Sequence, residues 1–129
     1  MCLLDEVVAW NATRIECRSS THRALDNPLR ADGRLGAACG IEYAAQAMAV
    51  HGALIASTPN ALPVIAYLAS VRSVTLYVSR LDEVEADLVA RGQRVMSDNS
   101  AVQYEFSVLG GDSLLLSGRA TIVFDIARA

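Results

Sequence analysis

The chain contains no lysine: all eleven basic residues among its 129 are arginine. That bias reads as codon usage rather than mechanism. Fourteen acidic residues outnumber them, the formal charge is -3, and such a balance argues against a nucleic-acid partner. Cysteine is sparse as well. Cys2, Cys17 and Cys39 are odd in number and lack C-x-x-C spacing, which argues against a disulfide framework and suits reduced thiols in a cytosolic protein. Uninterrupted apolar runs are short. Glu42, Gln46 and His51 break one and Ser70 and Arg72 another, so no membrane span is expected. Asp5 and Glu6 come too early for a secretory signal. Repeats, low-complexity tracts and linkers are missing too. What is present, at 53% hydrophobic and 19% charged, can build a core, and residues 1–129 read as one domain.

The chain is organised around Cys39 to Ala56. Ala, Leu, Met, Gln and Glu make it a strong helix former, with no proline inside. At about 100° per residue, apolar side chains fall on several sides and no broad charged face remains, which predicts a helix buried all round. A carboxylate in such a helix is costly unless it is paired or protonated, so Glu42 is a functional candidate. The alternative is a side chain whose tip reaches solvent at the helix N-terminus, where the dipole favours it. Ser57-Thr58-Pro59-Asn60 stops the helix, and Pro63 opens the next element.

Around that helix the pattern is extended. Leu3–Trp10 and Arg14–Ser20 read as a hairpin, the second strand alternating Ile15, Cys17 and Ser19 with Arg14, Glu16 and Arg18. Thr21–Leu35 is a loop with turn signals at Asn27-Pro28 and Asp32-Gly33, and it carries His22. After the helix come Val64–Val78, with an irregularity near Arg72-Ser73, a charged turn at Leu81–Glu85, and Asp87–Met96. Ala101–Leu109 and Ser113–Ile126 follow, joined by a tight Gly110-Gly111-Asp112 hairpin. Two strands, one helix and four strands predict an α+β domain, an antiparallel sheet wrapped around a central helix.

Glu42-Tyr43-Ala44-Ala45-Gln46-Ala47 resembles the E-A-x-A-Q-A signature on the central helix of the hotdog-fold 3-hydroxyacyl-acyl carrier protein dehydratases. His22 stands where that family carries a loop histidine, Leu3-Leu4-Asp5-Glu6-Val7 resembles its opening, and Gly111-Asp112-Ser113-Leu114-Leu115 its last hairpin. The segments Asn27-Pro28-Leu29-Arg30 and Gly40 to Ala49 are most similar to the divergent dehydratases of aryl polyene pigment clusters. Leu35-Gly36-Ala37 stands where the common dehydratases have Pro-Gly, and the interval from His22 to Glu42 is longer than theirs. The chain also starts almost on its first strand, which leaves room for an upstream start.

The resemblance implies a (3R)-3-hydroxyacyl thioester dehydratase acting in fatty acid, aryl polyene or polyketide synthesis. Its product is the trans-2-enoyl thioester. His22 suits the base, since an unperturbed imidazole is mostly neutral at pH 7; a solvated loop histidine is the plain alternative. Glu42 suits the acid if desolvation keeps it protonated. Gln46, one turn on, is placed to orient Glu42, and backbone amides around Gly36, Ala37 and Gly40 to hold the enolate oxygen. His51 lies on the opposite helix face from Glu42 and reads as structural. No ligand spacing among His22, Cys39, Glu42 and His51 supports a metal, and no cofactor is implied. The family's site lies between two subunits, so the expected partners are an acyl carrier protein with its phosphopantetheine thioester and a second copy or a related dehydratase. A hotdog thioesterase, which would not need His22, and a non-catalytic partner subunit are the competing readings.

Overall fold

The computed structural model describes residues 2–56, 64–98 and 100–126. Among the described residues six strands and one α-helix make up the fold: β1 (Glu6–Trp10), β2 (Arg14–Ser19), α1 (Gly40–Ala56), β3 (Val64–Leu76), β4 (Leu88–Ser97), β5 (Ala101–Gly110) and β6 (Ser113–Ile126). The strands form one sheet in the order β1-β2-β4-β5-β6-β3, every neighbour antiparallel. α1 packs against β2, β3, β4, β5 and β6, as a sheet wrapped around a helix requires. The helix stop read at Ser57–Asn60 and the opening at Pro63 lie outside the described residues.

Alternation decides which side of each strand meets the helix. On β5, Val102, Tyr104, Phe106 and Val108 are buried while Gln103, Glu105 and Ser107 point away. On β2, Ile15, Cys17 and Ser19 do the same. The helix answers with Gly40, Tyr43, Ala44, Ala47, Met48 and His51, a stripe at helical spacing. Gly40 permits its close approach: a Cβ there would stand 2.5 Å from Leu116 Cδ2, and Leu116 is itself fully buried.

Three expectations change. The helix is not buried all round, because one sheet covers only one side of it; Glu42, Ala53, Ile55 and Ala56 are exposed in the single chain. The first strand begins at Glu6 rather than Leu3. Leu3 turns inward instead, 1% exposed, its N–H donated to Gln46 Oε1 at 2.8 Å and its carbonyl accepting the Ser19 and Thr21 hydroxyls at 2.5 and 2.8 Å. β3 stops at Leu76, short of Val78. Its irregularity falls where expected: the register slips between Arg72 and Thr75, and Ser73 takes a left-handed φ of 55°. Asp32 and Gly33, with φ of 53° and 74°, close the tight turn between Ala31 and Arg34. Among the described residues no helix is long and apolar enough to cross a membrane.

Candidate active site

β2 ends at Ser19, and the chain folds straight into a short 3-10 turn, Thr21–Arg23, that carries His22 into the interior. The imidazole is fully buried. Nε2 lies 2.9 Å from the Val84 carbonyl. A carbonyl only accepts, so Nε2 holds the proton and Nδ1 presents a bare lone pair. That Nδ1 is buried and has no hydrogen-bond partner among the described residues. Burial pulls the His22 pKa below the usual imidazole value, and the nearby Arg23 charge acts the same way against the Val84 and Ala86 carbonyls and Asp87. The ring is therefore a neutral base of fixed tautomer at pH 7.

Two anchors hold that turn. On one side Arg23 donates to the Glu85 carbonyl at 2.5 Å and pairs with Asp87 at 2.7 Å, and Arg18 pairs with the same carboxylate at 2.8 Å. These guanidinium bonds hold the Asp87 pKa below the usual carboxylate value. On the other side the Tyr43 hydroxyl, from α1, lies 2.7 Å from Thr21 Oγ1 and accepts from Asn27 Nδ2 at 3.0 Å.

Glu42 sits in the first turn of α1, next in sequence to Tyr43, and is exposed. It makes no hydrogen bond or ion pair among the described residues, so a single chain does not bring His22 and Glu42 together. The expected dry carboxylate is thus corrected for one chain: Gly40, Tyr43 and Ala44 of this first turn are buried, and the Glu42 side chain between them is exposed. Gln46 uses its Oε1 to hold the Leu3 N–H.

The expected amide donors also change. Ala37 N–H is engaged by the Ser79 carbonyl at 3.1 Å, and Gly40 N–H by the Ala37 and Ala38 carbonyls, because the chain enters α1 through a second 3-10 turn, Ala37–Cys39. Gly36 is exposed, and its amide has no such partner among the described residues. This entry segment is tied to the connection between β3 and β4. Leu81 N–H meets the Leu35 carbonyl at 2.7 Å, and Asp82 accepts the Leu35 N–H at 3.0 Å while pairing with Arg80. Sequence reasoning took Leu81–Glu85 for a charged turn. A turn does form there, closed by the Val84 N–H on the Leu81 carbonyl at 3.0 Å, and the same segment is also the strap that holds both the His22 ring and the approach to α1. The only hint was the Arg80-x-Asp82 pair; a backbone carbonyl such as that of Val84 leaves no mark in a sequence.

His51 is buried on the sheet side of α1, with Nδ1 2.7 Å from the Tyr104 hydroxyl and Nε2 2.7 Å from the Asn11 carbonyl. Both ring nitrogens are occupied, as befits a structural histidine. A concavity of about 640 Å³ lies elsewhere, lined by Trp10, Arg14, Glu16, Arg91, Gln93 and Glu105 among others, and reaches neither His22 nor Glu42. Among the described residues no group of three His, Cys, Asp or Glu could hold a metal ion.

A family model described as ApeP dehydratase, ApeP-like, matches residues 1–126. No curated protein matches the chain. Among solved structures, the ApeI:P dehydratase heterocomplex from Xenorhabdus doucetiae superposes with a TM-score of 0.84 at 20% identity, over 95% of this chain and 82% of that one. A mutant thioesterase from Pseudomonas aeruginosa gives 0.68 at 11% identity, over 95% and 81%. A mutant hypothetical protein from Staphylococcus aureus gives 0.70 at 11%, over 95% and 93%. At these identities the solved structures share the hotdog fold with this chain.

Proposed function

The chain belongs to the ApeP-like dehydratase family, and from that premise we propose that it removes water from a (3R)-3-hydroxyacyl thioester borne on an acyl carrier protein. The observation that carries the reading is His22: a buried imidazole whose Nε2–H is tied to the Val84 carbonyl and whose Nδ1 is bare. Such a nitrogen takes the weakly acidic proton from the α-carbon. The electron pair left behind forms the new double bond as the C–O bond at the β-carbon breaks. The departing hydroxide takes a proton from a carboxylic acid and leaves as water. The product is the trans-2-enoyl thioester, and the imidazolium and carboxylate then exchange a proton to restore the starting state.

Glu42 is our choice for the acid. Exposed in one chain, it needs a second hotdog chain to dry it and to set it against His22. We therefore propose a two-chain site, His22 from one subunit and Glu42 from the other, with a second copy of this chain or a relative as partner. The fold likeness to a dehydratase heterocomplex supports a partnered state. Gly36 is the remaining candidate among the expected amides for holding the enolate oxygen. Its segment is tied down by Asp82 and Ser79 and so is already in place when substrate arrives.

The test is incubation with a 3-hydroxyacyl thioester on a carrier protein, following loss of water by mass. His22→Ala and Glu42→Ala should each abolish turnover. Unchanged substrate with the wild-type protein, or turnover by both variants equal to that of the wild type, refutes the assignment. The thioesterase neighbours favour a second reading, hydrolysis of the thioester. Free thiol released at a rate indifferent to His22→Ala would establish it in place of the first.

A further inference from the structure

The bonds around Tyr43 form a one-way chain. Asn27 Nδ2 donates to the Tyr43 oxygen at 3.0 Å. Thr21 Oγ1 donates to the Leu3 carbonyl at 2.8 Å, so across the 2.7 Å contact it is Tyr43 that donates to Thr21. Burial raises the Tyr43 pKa, which keeps its proton in place. Asn27 is fully used: Nδ2 also reaches the Thr21 carbonyl at 2.8 Å, and Oδ1 accepts the Leu29 N–H at 2.8 Å. Chains of this kind polarise one another and rigidify what they join. What this one joins is the residue before His22 to the residue after Glu42.

We propose that Tyr43 is a positioning residue whose hydroxyl locks the His22 turn to α1 and so holds the imidazole on the Val84 carbonyl. The Val84 bond ties the turn to the β3–β4 connection, and the Thr21 and Ser20 bonds tie its start to Leu3 and Asp5. The Tyr43 bond adds the helix as a further fixed point, one residue away on each side of the candidate acid and base. In a two-chain site, where His22 and Glu42 of one subunit serve different centres, the same bond ties those two centres together. The catalytic meaning of this lock rests on the proposed dehydratase reading; the lock itself does not.

The chain has two histidines, so nitrogen-15 labelling of histidine gives a spectrum of two imidazoles, with His51 as the internal control. Tyr43→Phe keeps the buried ring and removes the hydroxyl. We expect the His22 Nε2–H to exchange with solvent about five- to tenfold faster, the factor one net hydrogen bond carries in a local opening, and its single tautomer to be lost, with His51 unchanged. Thr21→Val should do the same and Thr21→Ser should restore the wild-type signal. A purely structural hydroxyl would lower the melting temperature and leave the His22 signal alone, and that result overturns the proposal. If Tyr43→Phe does not fold, the Thr21 pair decides: equal signals from Thr21→Val and Thr21→Ser overturn it as well. Because the measurement needs no substrate, a wild-type protein without dehydratase activity would sink the functional reading and leave this one standing. An active protein with an unmoved imidazole would do the reverse.

Discussion

Acid should unfold this domain in a window set by its two histidines. His22 and His51 are both fully buried, and burial lowers both pKa values, aided by Arg23 near the first and Arg94 near the second. In the unfolded chain each returns to about 6.5. Below that pH the unfolded state binds protons that the folded state refuses. Stability is therefore fully present above the unfolded pKa and is lost as pH falls towards the lowered folded values. Each histidine contributes a slope of up to about 1.4 kcal/mol per pH unit, so the pair has a ceiling of about 2.8. The carboxylates held low, Asp82 by Arg80, Asp87 by Arg23 and Arg18, and Asp98 by the Ser100 and Ala101 amides, act with the same sign. Their loss begins only as pH drops below the ordinary aspartate value near 4. Urea unfolding followed by circular dichroism at half-unit steps between about pH 5 and 8 isolates the histidines. His51→Gln should remove its own share of the slope and leave that of His22. A stability flat across this range, or a slope untouched by His51→Gln and His22→Asn alike, would refute the reasoning.

Other substitutions probe the packing and the assembly. Tyr104→Phe strips His51 Nδ1 of its donor and should cost about 1–3 kcal/mol, read by calorimetry as a melting point lower by several degrees. Gly40→Ala puts a Cβ into the buried Leu116 side chain; we expect about 1–3 kcal/mol of destabilisation in chemical denaturation, and no loss would mean that the helix end can shift. Neither His22→Ala nor Glu42→Ala should turn over alone. Unfolded and refolded together, they should regain about a quarter of wild-type activity, since half of all dimers are mixed and each of these carries one intact site of two. No regain would identify the second chain as something other than another copy.

How much of this was legible in advance follows the range of the interactions. β5 and β2 could be read because alternation is written into consecutive side chains, and burial of Val102, Tyr104, Ile15 and Cys17 follows that pattern. The bulge at Arg72-Ser73 and the turns at Asp32-Gly33 and Gly110-Gly111-Asp112 are likewise local. The site was legible only in part. His22 and Glu42 were found through a motif, but their surroundings were not. Glu42 was expected to be dry because its helix lacks a charged face; the sheet covers only the Tyr43, Ala44 and Met48 side. The amides of Ala37 and Gly40 were expected to be open, and a 3-10 turn and the Ser79 carbonyl engage them. Tyr43 carried the one overlooked signal, since a phenol on a buried helix face must find a partner.

Residue order alone determined the class of the fold, the place of the central helix, the family and the two ionisable groups worth testing, because each depends on side-chain type and near-neighbour spacing. Only the folded chain decided that the His22 proton sits on Nε2, that the strap from Ser79 to Asp87 holds both the ring and the helix entry, and that Glu42 faces outward. Those outcomes hang on contacts between segments some sixty residues apart, as between His22 and Val84. Packing of the whole sheet brings them together, and no local pattern encodes them.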